Sequence, residues 1–255
     1  MEVLRVERLS KDFGGVHGLR NVSFSAEAGE RLAIIGPNGA GKTTLFNVLN
    51  GELSATAGRV YYFGKDITNT GTHRRAHLGI ARSFQISALF PTLTVLHNIL
   101  LALQGTQPRR FQIFRSINSY KDMFARAEEL LRVWALWEKR NEPVQNISYG
   151  DQRRLEITLS LASKPKLLLL DEPSAGLTAD ESADIINKIG ELGRGATVIF
   201  VAHDMDLVFG VAERIIVLHY GEIIAEGTCE EIQVNPRVKE IYMGIEEGTG
   251  DARAS

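Results

Sequence analysis

A glycine-rich segment has the residues and spacing of a loop that binds nucleotide phosphates. The segment is Gly36-Pro37-Asn38-Gly39-Ala40-Gly41-Lys42-Thr43, which fits the pattern G-x-x-x-x-G-K followed by Ser or Thr. Glycines let the backbone curl until several N–H groups point at phosphate oxygens, and the positive end of a following helix adds to the attraction. We expect Lys42 to reach the β and γ phosphates and the Thr43 hydroxyl to ligate Mg²⁺. The pattern alone indicates nucleoside triphosphate binding and leaves kinases, GTPases and motor proteins open.

Two carboxylates follow an apolar run later in the chain. The leucines at 167–170 predict a buried strand, and Asp171 and Glu172 come directly after it. Because the ligand crevice of a parallel sheet lies beyond the carboxyl ends of its strands, we expect both acids beside the phosphates. We predict that Asp171 holds Mg²⁺, directly or through water, and that Glu172 orients the attacking water and takes its proton. A glutamate here favours hydrolysis over phosphoryl transfer to a second substrate.

Another candidate group precedes a predicted helix at about 151–162. Ser148 followed by Asp151 three residues later is a capping-box pattern, which would give the segment a purely structural role. Ser148 and Gly150 would serve equally well as an anion-binding helix N-terminus. The spacing does not separate these two interpretations.

Three further side chains are weak candidates when each is taken alone. His203 ends the predicted strand at 196–202, where it can donate a hydrogen bond to a γ-phosphate oxygen. Gln85, at the end of a predicted strand at 80–84, is placed to touch Mg²⁺ or the attacking water. Phe13 precedes two glycines and can stack on a base.

The elements that must position these residues alternate between strands and helices. Strands are predicted at 3–9, 22–28, 31–35, 60–63, 80–84, 167–170, 196–202, 215–218 and 222–226. Helices are predicted at 42–49, 94–103, 120–137, about 151–162 and 180–192. We expect an α/β chain built on a parallel sheet, with a helical insert at about 87–160. The aromatic stripe within 120–137 is interpreted as core packing.

The composition is that of a globular protein without a strong charge bias. The 255 residues include 29 Lys and Arg against 31 Asp and Glu, so no basic excess indicates nucleic acid as a partner. No apolar run approaches the ~20 residues of a membrane-spanning helix, and the single cysteine fits a reducing compartment. We expect a soluble chain whose membrane role comes through a partner. The basic pairs Arg74-Arg75, Arg109-Arg110 and Arg153-Arg154 are interpreted as solvated, and the tail at 246–255 as disordered.

Taken together, the motifs resemble those of the nucleotide-binding subunit of an ABC transporter. Seven segments occur in that family's order, which is far more specific than any single motif. The resemblance implies that Phe13 stacks on adenine, that 36–44 with Thr44 is the Walker A loop, and that Gln85 is the Q-loop glutamine. It implies that 148–152 is the signature motif, 174–178 the D-loop, and His203 the switch histidine. Asp171 and Glu172 become the Walker B aspartate and the catalytic base.

The same resemblance implies the architecture and the assembly. A P-loop NTPase core of the RecA-like type would carry an N-terminal antiparallel β part and a helical subdomain. A single ATPase domain would occupy 1–245, with the catalytic core at 1–86 and 161–245 and the helical subdomain at about 87–160. Cassettes of this family pair head to tail around two ATP molecules. Ser148 and Gly150 would then contact the γ-phosphate bound to the partner cassette, with Asp151 beside them.

A closer resemblance is to the larger ATPase subunit of branched-chain amino acid importers. It rests on the segments 79–85, 89–91, 94–99, 152–157 and 241–244 and covers nearly the whole chain. The same subfamily also serves amides, urea and aromatic acids, so the cargo stays open. The implied partners are two integral-membrane permease subunits, a second and different cassette in a heterodimer and, indirectly, a substrate-binding protein. The implied location is the cytoplasmic face of the cell membrane.

Three residues depart from the family pattern. Tyr149 replaces the first glycine of the signature motif, as is common in this subfamily. Asp151 stands where glutamine is usual, which adds a negative charge near the partner's phosphate and is expected to weaken that half-site. Thr178 replaces the D-loop aspartate, which brings the coupling between the two ATP sites into question.

Two other functions are compatible with these motifs. One is a soluble ABC assembly ATPase without a transport role, and the other is the ATPase of a lipopolysaccharide exporter, whose cassette is similar in length. A P-loop kinase would leave the signature segment and His203 unexplained.

Overall fold

The computed structural model describes residues 1–83, 89–105, 121–193 and 195–247, with side chains up to Tyr242. Gln85 and the pair Arg109-Arg110 lie outside the described residues. The strands in these ranges are β1 (Glu2–Phe13), β2 (Val16–Glu27), β3 (Arg31–Ile35), β4 (Ala57–Tyr62), β5 (Lys65–Asp66), β6 (Ile80–Arg82), β7 (Leu167–Asp171), β8 (Thr197–Val201), β9 (Arg214–His219) and β10 (Glu222–Gly227). The helices are α1 (Lys42–Asn50), α2 (Thr72–Leu78), α3 (Val95–Gly105), α4 (Lys121–Val133), α5 (Tyr149–Leu161), α6 (Ala179–Glu191), α7 (Met205–Val211), α8 (Cys229–Val234) and α9 (Pro236–Glu247).

A six-stranded sheet in the order β10-β9-β3-β8-β7-β6 forms the centre of the described fold. All of its pairs are parallel except β10, which joins β9 as an antiparallel edge strand. The residues of β8 are buried throughout, as are the four leucines of β7, which is typical of parallel strands covered on both faces. Because β3 lies between β9 and β8, the turn after β3 opens at the middle of the sheet's carboxyl edge. The predicted α/β class and parallel sheet are confirmed.

A smaller antiparallel sheet, in the order β2-β1-β4-β5, covers one side of this core. Leu4 and Val60 on its inner face belong to the same buried cluster as Phe46 and Leu49 of α1 and Leu169 of β7. Helix α1 is therefore packed between the two sheets, which fixes the direction of its first turn. The predicted antiparallel N-terminal part is confirmed.

The region between β6 and β7 contains α3, α4 and α5. Trp134 is fully buried, so the interpretation of the aromatic stripe as core packing is confirmed for this residue. The helix predicted at 120–137 ends earlier, because α4 stops at Val133 and Ala135 adopts φ 54° in the left-handed region. Trp137 lies beyond this break, in a short 3₁₀ turn (Trp137–Lys139), and is only partly buried.

Four helices have no counterpart in the sequence prediction: α9 and the short helices α2, α7 and α8. Caps and tertiary packing stabilise such helices more than a long apolar face does. Asp204 caps α7, and Thr228 and Glu231 form a capping box on α8. Helix α9 continues through Glu247, and the rest of the tail predicted as disordered, 248–255, lies outside the described residues. No helix in the described ranges has the length and apolar content needed to cross a bilayer.

One of the basic pairs interpreted as solvated has a buried member. Arg75 has no exposed surface, and burial lowers its pKa to about 10. Its guanidinium donates hydrogen bonds to the carbonyl oxygens of Val48, Leu49, Ile67, Thr68 and Thr70. The cation sits at the C-terminal end of α1, where the helix dipole is negative. The solvated interpretation is wrong at this position, because backbone carbonyls satisfy the whole guanidinium.

Candidate functional site

Close backbone contacts hold the glycine-rich loop between β3 and α1. Gly36 has φ 149°, and a Cβ added there would lie 2.1 Å from the carbonyl oxygen of Leu218. Gly41 has φ 103°, and its added Cβ would lie 2.5 Å from the carbonyl oxygen of Gly18. No side chain fits at either position, which explains the glycines at both ends of the pattern. The N–H of Gly221 also donates to the carbonyl of Ala40 at 2.9 Å, so the loop is bound to the β9–β10 turn.

The first turn of α1 is open to an anion, and a lysine lies beside it. Gly41 caps the helix without a side-chain hydrogen bond, and the first turn contains no acidic residue. Lys42 is buried, and its Nζ donates to the carbonyl oxygens of Gly36 at 2.5 Å and Pro37 at 2.9 Å. Burial lowers the pKa of Lys42, although the nearby charges of Glu172 and Asp171 oppose this effect. The free N–H groups and the cation form an environment that suits phosphate oxygens.

Glu172 and His203 meet at the carboxyl edge of the sheet. Nε2 of His203 lies 2.8 Å from Oε1 of Glu172. The two residues follow the neighbouring parallel strands β7 and β8, as the sequence predicts. Glu172 has φ 48°, a left-handed conformation that is uncommon for a residue with a Cβ and that recurs at functional sites. This backbone sets the direction in which the carboxylate leaves the strand.

These elements enclose a cleft of about 340 Å³. It is lined by Phe13, Val16, His17, Gly18, Asn38, Gly39, Ala40, Gly41, Lys42, Thr43, Thr44, Glu172 and His203. Phe13 is 46% exposed and packs against Gly18, where an added Cβ would lie 2.8 Å from the ring. The structure thus brings most of the predicted nucleotide-binding residues into one cleft. Gly36 and Pro37 do not line the cleft, and their carbonyl oxygens accept hydrogen bonds from Nζ of Lys42.

Asp171, predicted to hold Mg²⁺, forms an ion pair with an arginine that sequence reasoning missed. Nη2 of Arg82 donates to Oδ2 of Asp171 at 2.8 Å, while Nη1 donates to Oδ1 of Asn47 at 2.6 Å. Of the residues predicted to hold the metal, Thr43 is exposed beside the loop, and the Asp171 carboxylate is already paired with Arg82. No cluster of three or more His, Cys, Asp or Glu side chains suited to a metal occurs within the described ranges. Such a donor set suits Mg²⁺ that takes its remaining ligands from phosphates and water.

The signature segment shows a capped helix and a buried acid. Ser148 is the N-cap of α5, and its Oγ accepts a hydrogen bond from the N–H of Asp151. The Asp151 side chain is 3% exposed and forms ion pairs with Lys139 and Arg154. Burial alone would raise the pKa of Asp151, but the hydrogen bonds from Lys139 and Ser148 and the charge of Arg154 outweigh it and lower this pKa. Lys139 and Arg154 of the same chain offset the negative charge that Asp151 adds, and the effect of Asp151 on the partner's half-site stays a prediction.

Ser148, Gly150 and Asp151 do not line the cleft of their own chain. Within the chain the capping interpretation holds, because Ser148 satisfies the first turn of α5. Thr178 also acts as a cap, forming a capping box with Glu181 at the start of α6. Threonine and aspartate are both good N-caps, so this departure from the family pattern preserves the local structure.

Arg153 is a second functional candidate that sequence reasoning missed. The pair Arg153-Arg154 was interpreted as solvated, yet Arg153 is only 5% exposed. Its guanidinium donates to the carbonyl oxygens of Asp171 and Glu172, at the end of β7. The sequence offers one clue to this role, because Arg153 directly follows the signature segment. Local spacing alone does not indicate that its side chain reaches the end of β7.

Comparisons with known proteins show the family of this chain. A family model described as ABC transporter matches residues 19–175, and one described as Branched-chain amino acid ATP-binding cassette transporter matches 222–248. The chain is 36% identical to the probable branched-chain amino acid transport ATP-binding protein LivG of Archaeoglobus fulgidus, over 97% of both chains. It is also 36% identical to the high-affinity branched-chain amino acid transport ATP-binding protein LivG of Escherichia coli K12, over 95% of this chain and 98% of that one.

Solved structures give the same result for the fold. A nucleotide-free ATP-binding cassette from an ABC transporter superposes with a TM-score of 0.84 at 36% identity, over 95% of this chain and 99% of that chain. The ADP conformation of an ATP-binding cassette gives a TM-score of 0.85 at 36% identity, over 96% of this chain and 99% of that chain. The chain therefore belongs to the ATP-binding cassettes of ABC transporters, in the branch of the branched-chain amino acid transport ATP-binding proteins.

Proposed function

We propose that this chain is the ATP-hydrolysing subunit of an importer that takes up branched-chain amino acids or related amides through a separate membrane permease. The observation that carries the proposal is the cleft in which Lys42, the open first turn of α1 and the Glu172–His203 pair meet. The cargo class is taken from the function named for the relatives and from the C-terminal match at 222–248.

In this mechanism the triphosphate of ATP lies on the N–H groups at the start of α1. Lys42 binds the β and γ phosphates, and the adenine stacks on Phe13. Glu172 takes a proton from the attacking water, while His203, whose Nε2 lies 2.8 Å from Oε1 of Glu172, helps to hold that carboxylate and donates to the γ-phosphate. Catalysis is largely electrostatic, because charges fixed in the cleft stabilise the transferring phosphoryl group.

The metal site is part of the same proposal. Thr43, Asp171 and Gln85 would hold Mg²⁺, which supplies positive charge to the phosphates when it is bound. Asp171 reaches this role only by sharing its carboxylate with Arg82 or leaving it, because the two side chains form an ion pair at 2.8 Å. Arg82 therefore keeps Asp171 in place at the end of β7.

Two cassettes would form the working unit. The position of Ser148 and Gly150 outside the cleft of their own chain supports a contact with ATP on a partner cassette. A solved dimeric structure of a post-hydrolysis state of an ATP-binding cassette, bound to ADP and Pi, is 28% identical with a TM-score of 0.75, over 88% of this chain and 98% of that chain. We infer a head-to-tail pair whose second member is a different cassette. We also propose the division into a catalytic core at 1–86 and 161–245 and a helical subdomain at about 87–160.

A groove offers a place for the permease. It has a volume of about 330 Å³ and lies between the α3–α5 region and the core, lined among others by Asn50, Ala81, Ala102 and Leu159. We infer that a cytoplasmic helix of the permease occupies this groove. The chain would then be a peripheral subunit at the cytoplasmic face of the membrane, and a substrate-binding protein would act on it only through the permease.

Substitution of the predicted base tests the hydrolytic mechanism. Glu172→Gln keeps the shape and removes the proton acceptor, so ATP binding is expected to persist while turnover falls by about 10²-fold or more. Glu191→Gln, at an exposed position at the end of α6, is the matched control and is expected to turn over normally. Near-normal turnover of Glu172→Gln would refute the role of Glu172.

Co-purification tests the transport role. The chain is tagged in its native cell, membranes are solubilised gently, and the associated proteins are identified. Two permease subunits and a second, shorter cassette are expected. Recovery of soluble partners alone, with the chain absent from membranes, would contradict the importer and favour a soluble assembly ATPase.

A further inference from the structure

Arg153 is a buried cation that binds the backbone around Glu172. Its Nη2 donates to the carbonyl oxygens of Asp171 at 2.8 Å and Glu172 at 2.5 Å, and its Nε donates to that of Pro173 at 3.2 Å. One planar guanidinium thus binds three consecutive peptide units. Because the donors of a guanidinium have a fixed fork geometry, these bonds fix the orientation of all three units.

The backbone at this point needs such support. Glu172 adopts φ 48°, which is unfavourable for a residue with a Cβ, and its side chain is 42% exposed. Two further contacts hold Glu172. Its backbone N–H donates to the carbonyl oxygen of Val201, and its carboxylate lies beside His203. Without Arg153, the peptide units around Glu172 lose three charge-assisted hydrogen bonds and the carboxylate loses its fixed direction.

The counter-ion of Arg153 connects this support to the groove. Nη1 of Arg153 donates to Oε2 of Glu156 at 2.7 Å, one helical turn further along α5. The side chain of Glu156 is 1% exposed and lines the groove that also contains Ala81 and Leu159. Its second oxygen, Oε1, is buried and has no hydrogen-bond partner in the described part of the chain. A buried carboxylate oxygen without a donor is unfavourable, so it favours an occupant that brings one.

We propose that Arg153 is a positioning residue for the catalytic carboxylate, and that Glu156 makes this support depend on the segment that fills the groove. The proposal rests on the function proposed above, because it takes the occupant to be a cytoplasmic helix of the permease. The helix is mostly apolar where it meets Ala81, Ala102 and Leu159, and it presents one hydrogen-bond donor to Oε1 of Glu156. Arg82, which also lines the groove, is already bound to Asp171 and does not supply that donor.

The chemistry of the connection is electrostatic. A donor at Oε1 stabilises the ionised carboxylate of Glu156, which in turn holds the Arg153 guanidinium in the geometry that binds the three carbonyls. When the donor leaves, Oε1 of Glu156 is again without a hydrogen bond. The Arg153–Glu156 ion pair is then less stable, and Arg153 holds the backbone around Glu172 less firmly. Occupation of the groove would thus raise ATP turnover without any change at the phosphate loop.

The positioning role is tested with the full-length chain alone. Arg153→Met keeps the length of the side chain and removes the donors. Its kcat is expected to fall by about 10- to 100-fold, with the KM for ATP within about twofold of the original. Arg153→Lys, with a smaller donor set, is expected to recover part of the loss. The control is Arg132→Met, on α4, because Arg132 is 56% exposed and pairs with Glu128 at the surface.

A merely structural role gives a different result. If Arg153 only stabilises the fold, the kcat of Arg153→Met is normal at temperatures well below its unfolding midpoint, and Arg153→Lys has no loss of kcat to recover. A normal kcat for folded Arg153→Met would overturn the positioning role outright.

The role of Glu156 is tested in the membrane complex that co-purifies with the tagged chain. The measured quantity is the ratio of kcat in the complex to kcat of the isolated chain. Glu156→Gln keeps the shape but removes the charge that holds Arg153, so isolated turnover is expected to fall part of the way towards that of Arg153→Met, and the ratio is expected to fall towards one. Glu128→Gln, at the exposed control pair, is expected to keep the original ratio.

The possible outcomes separate this proposal from the proposed function. If the unsubstituted complex is stimulated and Glu156→Gln is stimulated equally, the role of Glu156 is overturned while the importer stands. If no membrane complex forms with the unsubstituted chain, the importer and the role of Glu156 both fail. The kinetics of Arg153→Met still decide the positioning role in that case.

Discussion

Gly36→Ala tests whether the backbone contacts of the phosphate loop determine ATP affinity. The added Cβ would lie 2.1 Å from the carbonyl oxygen of Leu218, closer than the 3.0 Å that Cβ contacts respect. That oxygen belongs to β9, a buried strand of the six-stranded sheet, so it cannot rotate away as the end of a flexible side chain would. The loop itself must therefore move, by about 1 Å.

The magnitude follows from two contributions. Forcing a side chain into a packed region costs about 1 to 3 kcal/mol, and φ 149° is a conformation that glycine adopts far more readily, at a further cost of about 1 to 3 kcal/mol for other residues. If the loop must return to its original shape to bind phosphate, at least about 2 kcal/mol is lost from binding. This corresponds to an ATP affinity about 30-fold weaker.

Calorimetric titration with ATP and Mg²⁺ measures this loss directly. The matched control is Gly64→Ala, in the β4–β5 turn, where φ is 74° and no atom lies within 4 Å of the added Cβ. The control introduces the left-handed strain without the steric clash and away from the cleft. It is expected to lower the unfolding temperature slightly and to leave ATP affinity unchanged. A folded Gly36→Ala variant that binds ATP within about threefold of the original affinity would refute the reasoning.

Three further substitutions probe the loop, the buried cation and the D-loop. Lys42→Ala is expected to weaken ATP binding by about 10- to 100-fold, because it removes a charge-assisted contact to phosphate; unchanged affinity by titration would contradict that role. Arg75→Leu leaves five carbonyls without a donor and is expected to lower the free energy of unfolding in urea by about 3 to 5 kcal/mol, whereas the exposed Arg74→Leu changes it little; equal effects would disprove the argument from burial. Thr178→Ala is expected to lower the unfolding free energy by about 1 kcal/mol through loss of the α6 cap while ATP turnover persists, and a loss of turnover without a loss of stability would show that Thr178 acts in coupling instead.

The sequence predicts well those parts of the fold in which local pattern and tertiary role agree. The apolar run at 31–35 coincides with β3. The glycine pattern after it identifies the loop, because Gly36 and Gly41 have a backbone conformation and close contacts that only glycine tolerates. Glu172 and His203 are each predicted at the carboxyl end of a strand that faces the phosphate crevice, and the structure brings them within 2.8 Å of each other. The roles of these residues in catalysis stay predictions until they are substituted.

The sequence predicts poorly where a side chain's role depends on a distant partner. Arg75 and Arg153 look like surface residues in a short basic pair, yet both are buried because carbonyls far along the chain bind their guanidinium groups. Asp151 is expected to add a negative charge near the partner's phosphate, and only the fold reveals Lys139 and Arg154 beside it. Periodicity detects apolar faces, but it carries no information on which carbonyl or cation will face a polar side chain.

The strand order of the six-stranded sheet has a consequence for synthesis of the chain. The strand β3 lies between β8 and β9, whose residues follow it by roughly 160 to 180 positions. At about 5 to 20 residues per second, a ribosome needs roughly 10 to 40 s to supply both neighbours. The helices α3, α4 and α5 emerge in the meantime, whereas β3 and the phosphate loop still lack both neighbouring strands. Nucleotide competence is therefore acquired only when nearly the whole chain has emerged, and nascent chains arrested before β9 carry a complete loop sequence without the sheet that shapes it.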